Sequence, residues 1–215
     1  MMKRVSVGVL AAVASLALLA GPASAAPPGY RFTFAGESAN TALSDCGTDP
    51  APGTRCTVIF VFAGEERVNE DGLRTRQEVL FVDVFDVLVT GPNPEDVEPI
   101  AVLGSGFTTE ADVSITGGLR RGSVSAEDLV IEGYGTVDIE VSWVGVGSVS
   151  RFKFHEKSTF DGTTIRFSDN GRFRDADVTA VIDGETFLEF DLFGSSLSKS
   201  KFGEVCRGDC DFGPI

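Results

Sequence analysis

The chain has 215 residues, 42% of them hydrophobic with 17 Phe, and a formal net charge of −14 at pH 7. That apolar content supports a packed core and excludes general disorder. The acidity repels phosphate backbones and anionic headgroups, so neither nucleic acid nor an acidic membrane surface is an expected partner.

The first element is an export signal. Lys3 and Arg4 precede an almost unbroken apolar run from Val5 to Ala20, and Ala23-Ser24-Ala25 supplies the small-x-small pattern that signal peptidases accept. The run, roughly 16 residues, falls short of the about 20 that span a bilayer. Residues 1–25 are therefore expected to be a helical secretory signal peptide. Residues 26–215 are expected to form a single domain of about 190 residues. Loss of Lys3 and Arg4 takes the net charge to about −16. No later stretch is long and apolar enough to span a membrane, so the expected location is secreted, in the extracellular or cell-envelope space.

After the signal come runs rich in Val, Ile, Phe and Thr: "RFTF", "CTVIFVFAG", "EVLFVDVFDVLV", "TVDIEVSWV", "RFKFHEKSTF", "ADVTAVI" and "FLEFDLF". Several alternate apolar with polar, the period of a half-buried strand. Asp71-Gly72, Asp161-Gly162, Asn170-Gly171 and Asp183-Gly184 are hairpin signals, because both residues tolerate a positive φ. No long stretch beyond the signal has helical period. The expected fold class is all-β: an antiparallel β-sandwich or closed β-barrel built from hairpins. Val58 to Phe62 and Val79 to Val89 are apolar on both faces and belong centrally, where no edge is exposed to aggregate. "GPNPEDVEP" separates these strands from the rest, but the piece before it is too small to be an independent core.

Cys46, Cys56, Cys206 and Cys210 form an even set in an exported chain, which points to disulfides. Pairing of neighbours, Cys46 with Cys56 and Cys206 with Cys210, needs the least loop closure. Zinc ligands usually pair at two to four residues apart, and the first pair here is spaced too widely. The second pair encloses Arg207-Gly208-Asp209, a triplet that resembles the cyclised adhesion motif read by integrin-type receptors. Geometry supplies a plainer account. Five extended residues separate their end Cα atoms by about 13 Å, and a disulfide needs about 7 Å or less. The chain must turn, and Gly208 lets it turn. Arg207 and Asp209 remain weak binding candidates beside that structural role.

"RFKFHEKSTF" carries Arg151, Lys153, His155 and Lys157 on one face, a basic stripe on an acidic protein. These are candidates for binding an anion, with His155 able to change charge near neutral pH. The competing reading is cross-strand charge pairing. A hairpin folded about Gly145-Val146-Gly147 would set Asp138 and Glu140 opposite these bases. A hairpin about Gly194-Ser195-Ser196 would likewise set Glu189 and Asp191 opposite Lys199 and Lys201. Both hairpins favour the structural reading.

Catalytic and cofactor motifs are missing. His155 is the sole histidine, no serine stands in a G-x-S-x-G elbow, and no P-loop, H-E-x-x-H or G-x-G-x-x-G motif occurs. No cofactor or metal is expected. Asp83 and Asp86 stand out as acids in the most apolar strand, but three positions apart they face opposite ways. The favoured reading is a non-catalytic extracellular binding or envelope-associated structural module, its partner a cell surface or a small molecule. A β-barrel carrier of a small apolar ligand is the alternative, followed by a carboxylate-based hydrolase.

Overall fold

A computed structural model describes residues 31–46, 50–70, 72–91, 96–116, 118–160, 163–190 and 194–207. The expected signal peptide lies outside them. Alternating sequence between turn residues leaves the backbone one way to satisfy its N–H and C=O groups, which is strand against strand. Eleven strands result: β1 (Arg31–Ser44), β2 (Arg55–Glu70), β3 (Leu73–Val89), β4 (Val97–Thr108), β5 (Asp112–Thr116) and β6 (Arg121–Glu132), then β7 (Gly135–Gly145), β8 (Ser150–Phe160), β9 (Thr163–Ile182), β10 (Glu185–Glu189) and β11 (Ser196–Arg207). All pairings are antiparallel. No helix occurs among the described residues, and so none there is long and apolar enough to cross a membrane.

The hydrogen bonds follow a ring-like path. It runs from β1 through β2, β3, β4, β6, β7, β9 and β11 and back to β1. Its thinnest seam is β4 against β6, held by Ser105 opposite Glu132 and Gly106 opposite Ile131. Three strands stand off this path: β5 pairs β6, β8 pairs β9, and β10 pairs both β9 and β1. The architecture is antiparallel β throughout, consistent with a sandwich-like packing of sheet on sheet.

Alternation places the main core on one side of the strands. Ala39 and Leu43 of β1, Ile59 and Val61 of β2, Leu80 and Val82 of β3, Ile139 and Trp143 of β7, and Ala180 of β9 pack together there. Trp143 is 1% exposed and its indole N–H donates to the Asn40 carbonyl at 3.1 Å, so the largest core side chain leaves no polar atom unmatched. β5 packs across this core with Val113, whose N–H donates to Glu78 Oε2 at 3.2 Å. A second cluster lies on the opposite face of β2 and β3, where Val58, Val87 and Val89 meet Cys56 and Phe190. Strands β2 and β3 are thus covered on both faces, as their unbroken apolar runs require.

The turn signals divide. Asp183-Gly184 joins β9 to β10 with φ of +52° and +79°, the double left-handed turn that Asp-Gly favours. Gly72, at φ +93°, closes β2 onto β3. Asp161-Gly162 lies outside the described residues, between the paired Phe160 and Thr163. Asn170-Gly171 makes no turn. It sits within the 20-residue β9, with Asn170 paired to Lys153 on one side and Lys201 on the other. The glycine serves packing instead: a Cβ at 171 would collide with the Phe152 ring, which lies over it.

Two expected hairpins are also replaced. β7 and β8 do not pair with each other; β8 turns back on β9, while β7 lies between β6 and β9. β10 and β11 do not pair either, and Lys199 and Lys201 lie opposite Glu37 and Ala35 of β1. The physical reason is competition for the same edge. β9 is long enough to take β8 along residues 163–173 and β7 along 176–182, so it separates the two neighbours in sequence.

Candidate functional site: a cationic sheet face

The side of the sheet that is apolar at the core becomes charged where β1, β2, β3, β9 and β11 run past it. Parity is unbroken along these strands, so the residues after the core face the same way. One row across the sheet reads Arg151, Arg172, Lys199, Glu37, Glu65, Glu78 from β8 to β3. The next reads Lys153, Asn170, Lys201, Ala35, Arg67, Arg76. Beyond it come His155, Ser168 and Gly203, then Lys157, Arg166 and Val205.

The acids of this face are taken. Glu65 accepts from Arg67 at 2.7 Å and from Arg76 at 2.6 Å, and Lys199 pairs with Glu37. Burial pushes the Glu65 carboxyl up, but the hydrogen bonds and charges of the two arginines together outweigh it and hold the group below its ordinary value. Arg67 and Arg76, directly opposite each other, therefore share a bridging carboxylate.

The β8–β9–β11 half has no such relief. Arg151 stands opposite Arg172 and Lys157 opposite Arg166, and like charges so placed are destabilising. Among the described residues, none of Arg151, Lys153, Lys157, Arg166, Arg172 and Lys201 forms an ion pair. All but the half-buried Arg172 are exposed. The expected partners point elsewhere: Asp138 Oδ1 accepts the Asp128 N–H at 2.9 Å, and Glu140 lies opposite Ser125 and Val181. The charge-pairing account of the stripe is thereby corrected.

The basic stripe of β8 was legible by alternation. Its continuation through Arg166 and Arg172 was not, because the strand's "DNG" reads as a turn. The parity of "RFSDNGRFR" carried the signal, since Arg166, Asn170 and Arg172 share one face once the strand is continuous.

The reverse face is aromatic. Phe32 and Phe167 pack on Ile165 and Cys206, and Phe202 lies 6.2 Å from Phe32 and 6.3 Å from Phe167, ring centre to ring centre. Glu66 is buried there at 5% exposure, with Oε2 accepting from Gln77 at 3.3 Å and Oε1 without a partner. Burial raises its carboxyl above the ordinary value, against the smaller pull of Gln77. Asp169, on the same face, is raised by burial too, opposed by the Asn170 backbone.

Cys46 and Cys56 form a disulfide with Cα atoms 5.4 Å apart. Asp45 comes close to both sulfurs, but oxidised sulfurs are not thiolate ligands, and Asp45 Oδ1 accepts the Thr57 N–H at 2.8 Å. Cys206 is buried and disulfide-bonded. Arg207 ends β11, exposed, while Gly208, Asp209 and Cys210 lie outside the described residues. Asp83 accepts from Ser105 Oγ at 2.5 Å and Asp86 pairs with Arg55. The two aspartates face opposite sides and share no cleft. An acidic groove of about 650 Å³ runs past Glu110, Asp112, Glu127, Asp128, Asp138 and Glu140. The Asp128–Asp138 hydrogen bond within it holds the bulge between Ala126 and Leu129.

No family model and no curated protein matches this chain. Among solved structures, an acetoacetate decarboxylase-like enzyme from Sphingomonas wittichii RW1 is similar over 88% of this chain and 95% of its own, at 10% identity and a TM-score of 0.29. A likeness at that score carries no argument about fold or chemistry.

Proposed function

We propose that this chain is an exported, non-catalytic β-barrel module that binds an anionic ligand on its cationic face. The ring-like pairing supports the barrel. The observation that carries the binding role is the register of β8 on β9, which sets Arg151 against Arg172 and Lys157 against Arg166 with no carboxylate among the described residues paired to them. Sheets accept such pairs where function requires them, since local rules are broken mainly at functional sites. Edge protection accounts for cations on β8, an edge strand. It does not account for Arg166, Arg172 and Lys201, which lie on the interior strands β9 and β11.

The apolar-carrier alternative finds less support. The residues enclosed by the ring pack against one another, with Leu43, Ile59, Leu80, Ile139 and Trp143 at 0 or 1% exposure. A carrier instead encloses an apolar cavity of about 300 Å³ or more.

Ion exchange tests the proposal. Despite a net charge of −14, the protein should be retained on a sulfonate cation exchanger at low ionic strength and released as added salt shortens the screening length to about 8 Å near 0.15 M. The double variant Lys153→Glu/Arg172→Glu should flow through. Flow-through of the parent protein, or equal retention of the variant, refutes the proposal.

A further inference from the structure

We infer that the ligand of the cationic face is a linear acidic polysaccharide, with about one carboxylate per sugar, lying across β8, β9 and β11. The inference rests on the anion-binding reading above and names its ligand class. Four observations select it.

The first is shape. All of these cations but the half-buried Arg172 stand exposed, spread over three strands, whereas small ligands sit in concavities that cover about 70–90% of their surface. An extended ligand can touch Arg151, Arg172, Lys157 and Lys201 together; a single small anion cannot.

The second is spacing. Cross-strand neighbours are about 4.8 Å apart and same-face neighbours along a strand about 6.8 Å. Neutral hydrogen-bonding groups fill the gaps: Asn170 separates Lys153 from Lys201, and Ser168 lies beside His155. A surface that alternates cation with amide and hydroxyl suits a polymer that alternates carboxylate with hydroxyl. Polyphosphate has no hydroxyls along its chain to meet them.

The third is the place of the aromatics. Phe152, Phe154, Phe167 and Phe202 belong to these same strands, but parity turns them to the reverse face. Single-stranded nucleic acid is held by stacking its bases on aromatic platforms, and the described residues offer none beside the cations.

The fourth is overall charge. With the remainder of the molecule strongly acidic, a duplex carrying one charge per about 1.7 Å is repelled more than a polymer whose charges are a sugar apart.

Calorimetric titration of the full chain in about 50 mM salt tests this, with polygalacturonate, monomeric galacturonate, inorganic polyphosphate and oligo-dT as probes. Polygalacturonate should bind at least about 100-fold more tightly than the monomer, the gain expected when several weak contacts are linked. Lys153→Gln/Arg172→Gln/Lys201→Gln should lose at least tenfold. Lys153→Arg/Lys201→Arg should retain binding, and so should Arg55→Gln, at a distant ion pair. Circular dichroism melts would establish that each variant is folded. Monomer binding as tight as polymer binding overturns the inference while leaving the anion site standing. Tighter binding of polyphosphate or oligo-dT overturns the sugar assignment. Unchanged affinity in the triple glutamine variant removes the site from this face, and no binding to any probe removes the anion reading with it.

Discussion

Glu66 shows how one residue can oppose the fold that contains it. Its carboxyl is buried on the aromatic face with one oxygen unpartnered, so its charged form is disfavoured and its folded pKa lies above the ordinary value of 4.5. For an acid raised on folding, the native state holds more protons than the unfolded state, and stability falls as pH rises. The cost is present above the folded pKa and vanishes as pH falls towards 4.5. Glu66→Gln should therefore raise the unfolding free energy by about 1 kcal/mol at pH 7.5, the scale of an unsatisfied buried polar group. In urea titrations that gain should shrink steadily at lower pH. A gain of equal size at pH 5 would assign the effect to shape rather than charge. Asp169 is shifted in the same direction for the same cause, so the Glu66→Gln variant should retain some of this pH dependence.

At the scale of elements, the pairing of β8 with β9 sets both the stability and the binding of the cationic face. Arg151→Glu places a carboxylate directly opposite Arg172. A repulsive pair becomes an attractive one, and the variant should gain roughly 0.2–1 kcal/mol while eluting from a cation exchanger at lower salt than the parent. Gain of stability with loss of retention is the signature of a pair kept for binding. A variant that loses both would place Arg151 and Arg172 outside one another's reach. The contrast with Arg67 and Arg76 is instructive, because that pair of like charges is bridged by Glu65. The same sheet face thus holds a neutralised half at β1–β3, reaching Lys199 of β11 through Glu37, and a half on β8, β9 and β11 whose other cations form no ion pair among the described residues.

At the scale of the molecule, the disulfide between Cys46 and Cys56 ties the end of β1 to the start of β2, its hairpin partner, beside the second core cluster. It closes a loop of sequence separation 10, for which chain entropy predicts about 2–3 kcal/mol. Replacing both cysteines with alanine should lower the guanidinium unfolding free energy by that amount. A loss below about 0.5 kcal/mol would mean that packing alone already restrains the loop. Because Cys46 and Cys56 are bonded to each other, Cys206 is tied to neither. Non-reducing peptide mapping should recover it linked to Cys210.

What depends on neighbours along the chain could be read from the residues alone. Period-two alternation established strands and left no helix among the described residues, Asp183-Gly184 specified its hairpin, and doubly apolar β2 and β3 announced a position covered on both faces. Each follows from backbone geometry and burial within a few residues. Partner choice does not. Whether β7 meets β8 or β9 depends on which pairing buries more surface in the whole sheet, and β9 prevails because its 20 residues give an edge to both. That choice moved Asp138 and Glu140 away from Lys153 and His155. It also turned Asn170-Gly171 from an expected turn into mid-strand and aligned Arg166 and Arg172 beside the stripe on β8. The identity of the charged residues was written in the sequence. Their assembly into one unneutralised face was decided by the tertiary structure, because only cross-strand register determines which side chains stand about 5 Å apart.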